Sequence, residues 1–287
     1  MKKLIPIISL LLVACGQSSK PKDEVIYVSI APLRYVVEQI ASPGTRVEVL
    51  VPETTSPESY EPTVQQIKAL ADARLYISTG LIDFEQALAG KIGDIAPNTV
   101  ILDLSEGVET VAGHCSHGHD GHHHGVDPHI WLSPRIVKQM GGRIATQLQQ
   151  LHPDSAQAFQ QRTEQFVAQI DSLDNHIRQA LGGAQRNSFA IGHTSLTYFA
   201  NDYGLRQIAI ENEGKEPSVK AMKQLVDSLQ RLGVKGVLYQ RQTSDAAAQT
   251  IARELPGGHA VEFDPLAPDW LSNMYRLADS LQVILNE

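Results

Sequence analysis

The chain has 287 residues, 42% of them hydrophobic, and a formal charge of −8 with histidine neutral. That is length and apolar material enough for two modest lobes or one large α/β unit. The acidic balance argues against a nucleic-acid partner and favours capture of cations.

Lys2 and Lys3 precede an apolar run of ten residues, 4–13, and Leu12-Val13-Ala14-Cys15 reads as a lipoprotein processing site. A run that short cannot cross ~30 Å of hydrocarbon as a helix. Residues 1–14 are therefore expected to be a signal peptide. Cleavage would leave Cys15 as a lipid-bearing N-terminus on a polar tether, residues 15–24. Losing Lys2 and Lys3 takes the mature 273 residues to a charge of −10. The only cysteines are Cys15 and Cys115, so a lipid on Cys15 excludes an internal disulfide.

Short β-rich runs follow at 25–30, 47–51, 75–79 and 100–104, and again at 189–191, 207–210, 236–239 and 260–263. Each gives way to loop signals and then a helical pattern. Near-continuous apolar strands alternating with helices predict parallel sheets covered on both faces. The fold class expected is α/β, with two similar lobes, 25–151 and 183–287. Each lobe is a mostly parallel four-stranded sheet with flanking helices, and one long helix across 152–182 joins them. Phe159, Phe166, Ile170, Leu173, Ile177 and Leu181 form a single apolar stripe there. Pro153 stands in the first turn, and Gly182-Gly183 ends the helix. At 1.5 Å per residue it would run roughly 40 Å, long enough to span both lobes.

Within the first lobe, residues 113–125 are of a different kind. His114, His117, His119, His122, His123 and His124 alternate with Gly and small polar residues. Neutral imidazole is a borderline-soft donor suited to zinc, copper, nickel and iron(II). The glycines deny the tract a fixed geometry, so it is expected to offer auxiliary, weaker metal sites on a flexible loop. Cys115, a free thiol among imidazoles, fits either a thiolate ligand or an oxidation liability.

Further donors stand just past the C-terminal ends of strands, where open parallel sheets place their ligand crevices. They fall in Thr55-Ser56-Pro57-Glu58-Ser59-Tyr60-Glu61-Pro62, Asp127-Pro128-His129-Ile130-Trp131-Leu132-Ser133, Gly192-His193-Thr194-Ser195 and Asp264-Pro265-Leu266. With these signatures and His193-Thr194-Ser195-Leu196-Thr197-Tyr198-Phe199, the mature chain resembles the metal-binding solute receptors of ABC importers for zinc, manganese or iron. The His-rich tract sits where zinc-binding members carry one. Carried over residue by residue, the resemblance implies Glu58, His129, His193 and Asp264 as metal ligands. Glu58 departs from the pattern, since members usually have His there, and Val64 stands where proline is common. Glu61, three residues on, is the alternative first ligand.

Two imidazoles and two carboxylates balance a divalent ion. The set suits zinc, with manganese(II) or iron(II) as alternatives, and the His-rich tract favours zinc. The function implied is a lipid-anchored, extracytoplasmic, monomeric receptor that hands one tightly held ion to an ABC permease and its ATPase, without catalysis. A metallohydrolase fits less well, because four protein donors leave no open position and no H-E-x-x-H occurs. A surface adhesin that merely sequesters metal is the other alternative.

Overall fold

The computed structural model describes residues 24–113, 125–211 and 217–286. The expected signal peptide, lipidated Cys15, Cys115 and the six tract histidines lie outside the described residues. Among those described, no helix is long and apolar enough to cross a membrane.

All eight expected strands form, within one or two residues of the apolar runs. The first sheet contains β1 (Val25–Val28), β2 (Arg46–Val49), β3 (Leu75–Ser78) and β4 (Val100–Asp103) in the order β2-β1-β3-β4. The second contains β5 (Ser188–Ile191), β6 (Arg206–Ala209), β7 (Gly236–Gln240) and β8 (His259–Phe263) in the order β6-β5-β7-β8. Every pairing is parallel. The shared order makes the second half a topological copy of the first. Burial follows position: β3 and β5 are buried at every residue, whereas β2 and β6, at equivalent edges, are partly exposed.

Helices α1 (Ala31–Ile40), α2 (Val64–Leu70), α3 (Asp83–Ile95) and α4 (Pro134–Leu151) belong to the first half. The helices α6 (Thr197–Tyr203), α7 (Val219–Arg231), α8 (Ala246–Glu254) and α9 (Trp270–Asn286) belong to the second. Between them runs α5 (Ala156–Leu181), whose 26 residues correspond to about 39 Å. Its start differs slightly from expectation. Pro153–Ser155 forms a separate 3-10 turn, and Ser155 (φ −102°, ψ 4°) breaks the helical path before Ala156.

The stripe Phe159, Phe166, Ile170, Leu173, Ile177 and Leu181 is buried. It packs on α1 and α4 at one end and on α9 at the other. Gly141 on α4 permits that contact, since a Cβ there would lie 2.7 Å from the Phe166 ring. One apolar core therefore runs through both lobes, from Val28 and Leu75 to Phe189, Leu238 and Leu281. A smaller cluster under α7 and α8, including Val226, Leu229 and Ile251, completes the second lobe.

Candidate metal centre

Each expected donor loop is fixed by its own local chemistry. After β2, Pro57–Ser59 makes a 3-10 turn that carries Glu58. Tyr60 anchors it: its hydroxyl donates to Leu50 O at 2.8 Å, and its ring meets Phe84 edge-on at 5.3 Å. Thr63 and Gln66 then form a reciprocal capping box that starts α2. After β4, Gly113 N donates to Gly125 O at 2.6 Å, and Ala112 makes an isolated antiparallel bridge with Val126. Gly113 is needed there, because a Cβ would come within 2.8 Å of Asp127 N. His129 precedes the buried 3-10 turn Ile130–Leu132, and Ser133 caps α4 by accepting from Ile136 N at 3.1 Å. His193 lies two residues beyond β5, its carbonyl accepting from Gln240 Nε2 at 3.3 Å.

These loops bring Glu58, His129 and His193 together. Their ligand atoms lie within 4.8 Å of one another, and this is the one such group among the described residues. Glu58 Oε1 stands 3.1 Å from His193 Nε2 and 3.6 Å from His129 Nε2. The rings of the two histidines cross at 63° with centroids 5.3 Å apart. Both imidazoles therefore turn Nε2 towards the same carboxylate oxygen.

Their other nitrogens face carboxylates too. Asp127 Oδ1 accepts from His129 N at 2.9 Å and faces Nδ1 at 2.8 Å. Glu211 Oε2 stands 3.9 Å from His193 Nδ1. The Asp127 contact places the His129 proton on Nδ1 and leaves the Nε2 lone pair directed at Glu58, an assignment read from the hydrogen-bond network. An acceptor facing an acceptor at 3.6 Å is a gap that a cation could fill.

Electrostatics agree. Burial pushes the His193 imidazole down, but the Glu58 hydrogen bond and the charges of Glu58, Glu211 and Asp127 outweigh it, holding His193 above its ordinary value. Burial likewise pushes Asp127 up. The His129 charge and hydrogen bonds from His129 and Thr197 overcome this and keep its carboxyl below the usual range. Three carboxylates around two imidazoles make a site that favours positive charge.

The group opens on a cavity of about 340 Å³ between the lobes, lined by Glu58, His129 and Trp131 from the first and His193, Glu211 and Gln242 from the second. A larger cavity, about 550 Å³, lies at the opposite end of the first sheet, where Glu24 already pairs with His152 and Arg74. Glu24, His152 and Arg74 pair with one another there, whereas the smaller cavity holds the converging Glu58, His129 and His193.

The structure does not bring all expected donors to one point. Glu61 lines an adjoining groove with Asp83 and Lys91, which Glu58 also borders, and it is not part of the three-residue group. Asp264 follows β8 as expected but stands outside the three-residue group. Its Oδ1 accepts from Gln242 Nε2 at 2.8 Å and Leu266 N at 3.0 Å, and its Oδ2 faces Arg241 Nη1 at 3.4 Å. The sequence reading assigned no role to Glu211 or Gln242. Both stand two residues past a strand, β6 and β7, so the same strand-end rule points to them.

Buried hydrogen bonds cross between the lobes around the site. Trp131 Nε1 donates to Pro265 O at 2.8 Å, Trp270 Nε1 to Trp131 O at 2.8 Å, and Tyr198 Oη to Asp127 O at 2.7 Å.

The family described as ZnuA, "Zinc-uptake complex component A periplasmic", matches residues 26–283. The zinc-binding lipoprotein AdcA of Streptococcus pneumoniae (strain ATCC BAA-255 / R6) is 28% identical over 260 residues, 88% of this chain and 52% of AdcA. The chain thus spans about half the length of the AdcA relatives it matches. The high-affinity zinc uptake system protein ZnuA of Bacillus subtilis (strain 168) is 28% identical, covering 86% of this chain and 82% of its own. A crystal structure of ZnuA is 35% identical with a TM-score of 0.84, covering 92% of this chain and 99% of that one.

Proposed function

The chain belongs to the family of periplasmic zinc-uptake components, and from that premise we propose that it is an extracytoplasmic receptor that captures zinc and passes it to an ABC permease with its ATPase. The observation that carries the reading is the convergence of Glu58, His129 and His193 on one point of the interlobe cavity. Two neutral imidazoles and a carboxylate suit zinc, with manganese(II) or iron(II) as the harder alternatives. Asp127 orients the His129 imidazole from behind, the usual support for metal-bound histidine, and Glu211 adds negative charge 3.9 Å behind His193.

Binding without chemistry follows from the family of uptake receptors. It does not follow from closure of the site, because three grouped donors leave a position open where four would have closed it. Cys15 carries the lipid that keeps the receptor at the membrane. The His-rich tract adds weaker sites that raise the local supply of ion, and the receptor acts as a monomer.

Metal analysis of protein purified without added metal, followed by competition titration, tests this. We expect one tight zinc per chain that His129→Ala and His193→Ala each abolish. Undiminished tight binding in both variants would overturn the assignment of the site.

A further inference from the structure

Gln242 is positioned by interactions that use only one end of its amide. Nε2 donates to Asp264 Oδ1 at 2.8 Å and to Glu53 O, on the first lobe, at 2.9 Å. Both partners are acceptors and together take both amide hydrogens, so the orientation of the amide is determined. Oε1 is then left buried, without a hydrogen-bond partner among the described residues. A buried carbonyl oxygen without a donor is costly and calls for an explanation. Gln242 lines the cavity that holds Glu58, His129 and His193, and that cavity is built for a cation.

We propose that Gln242 Oε1 is the fourth polar group of the metal centre, accepting a hydrogen from a water on the bound ion, and that Asp264 acts through it. This rests on the zinc-receptor reading above. Glu58, His129 and His193 supply three donors, and a four-coordinate ion has one place left. The cavity, about 340 Å³, has ample room for water there. A metal-bound water is a strengthened donor that seeks an acceptor.

Asp264 is poorly placed to serve directly, because Gln242, Leu266 N and Arg241 already engage both its oxygens. Its effect on Gln242 is nonetheless favourable. An amide whose N–H groups are held by a carboxylate and a carbonyl has a more negative oxygen, the ordinary cooperativity of linked hydrogen bonds. Gln242 and Asp264 thus form one positioning unit, with the neutral oxygen in front and the charge behind.

The test is a double-mutant cycle on zinc affinity with the His-rich tract deleted. Gln242→Met keeps the length of the side chain and removes the oxygen; we expect binding to weaken about 10-fold, equivalent to roughly 1.4 kcal/mol. Asp264→Ala should weaken it by a similar factor, and the double variant by no more than either alone, because both act through one contact. Visible spectra of the cobalt(II)-loaded proteins should change in the same way for all three variants. Unchanged affinity in Gln242→Met, or additive losses in the double variant, would overturn the proposal; additivity would make Asp264 a ligand in its own right. His193→Ala belongs in the same series. Tight binding in that variant would overturn the site itself, a result distinct from any outcome at Gln242. Melting curves of the metal-free variants check that each is folded, and Gln242→Leu repeats the measurement should Gln242→Met not be.

Discussion

Asp127 touches no ion in the reading above, yet its removal should cost most of the affinity that precise placement of His129 provides. Its side chain is 5% exposed and holds both the backbone N–H and the Nδ1 of His129. Asp127→Ala frees the imidazole to rotate and to exchange tautomers, so Nε2 no longer faces Glu58 by default. The backbone there should stay in place, because Tyr198 still donates to the carbonyl of residue 127. Losses of this kind run at about 10–100-fold in metal affinity, which is about 1.4–2.8 kcal/mol. The metal-free protein should also lose stability, by about 1–3 kcal/mol, for the His129 N–H left unpaired in a buried site. At about 2–4 °C per kcal/mol for a domain of 150–250 residues, that is a visible drop in melting temperature.

The pH dependence of that drop has a definite sign. The Asp127 carboxyl is held below the ordinary range in the folded chain. Its contribution is therefore complete above an unfolded value of about 3.9 and is lost as pH falls through the depressed folded value. The wild type and Asp127→Ala should differ fully near neutrality and converge in acid. Competition titration with a zinc chelator measures the affinity, and calorimetry at several pH values the stability. Zinc binding within twofold of wild type in Asp127→Ala, with His129→Ala inactive, would refute the claim that Asp127 orients the ligand.

As pH is lowered, zinc affinity should start to drop before pH reaches ~6.5, the reference imidazole value, because Glu58 holds His193 above it and only the neutral form binds. An NMR titration of the metal-free protein should show the His193 midpoint lowered in Glu58→Gln. Glu58→His should retain binding and raise the zinc-to-manganese affinity ratio, as an oxygen donor becomes imidazole; an unchanged ratio would place Glu58 outside the ligand set. Deleting residues 113–125 should leave one tight site and remove the weaker ones, which calorimetric titration resolves. The radius of gyration in solution should change little on zinc addition, and a large contraction would count against the braced arrangement of the lobes.

The strands and the long helix were legible because their signals are local. Continuous apolar runs such as Leu75-Tyr76-Ile77 leave few alternatives to a buried parallel strand, and the stripe from Phe159 to Leu181 has a single helical face. Glu58, His129 and His193 were legible through a family resemblance, with strand-end position as support. Asp264 shows where that route stops. Its place after β8 was foreseen, but whether its carboxylate reaches the other donors depends on Gln242 and Arg241, residues from the neighbouring strand's loop. Asp127 lies within the His129 motif, but nothing in the sequence pairs it with that histidine. Its bond to His129 depends on a turn conformation that no spacing specifies. Glu211 and Gln242 follow β6 and β7 in stretches with no metal-donor motif, so strand-end position was the one signal that marked them.

In the proposed receptor, release of the ion would be constrained by what holds the lobes together. Trp131 and Trp270 are each 1% exposed, and each donates its indole N–H to a carbonyl that lies on or beside the other's loop. Separating the lobes as rigid bodies would break those bonds, break the Tyr198–Asp127 bond and wet the apolar layer around α5. Exposing two large aromatic side chains alone costs at least about 3 kcal/mol, a sizeable part of the 5–15 kcal/mol that stabilises a typical domain. A ligand can shift a conformational equilibrium only by its differential affinity for the two states, so wide opening would consume much of the binding energy. Movement of one ligand loop asks far less. Glu58 is the most exposed of the three donors, at 23% against 5% for His129 and 17% for His193. It is carried by a single 3-10 turn and lines both the metal cavity and the adjoining groove. His129 is fixed by Asp127 and by the ring of Trp131, 5.0 Å away between centroids. In the proposed receptor, the balance of these costs would make the Glu58 loop the moving part and the two histidines the fixed seat.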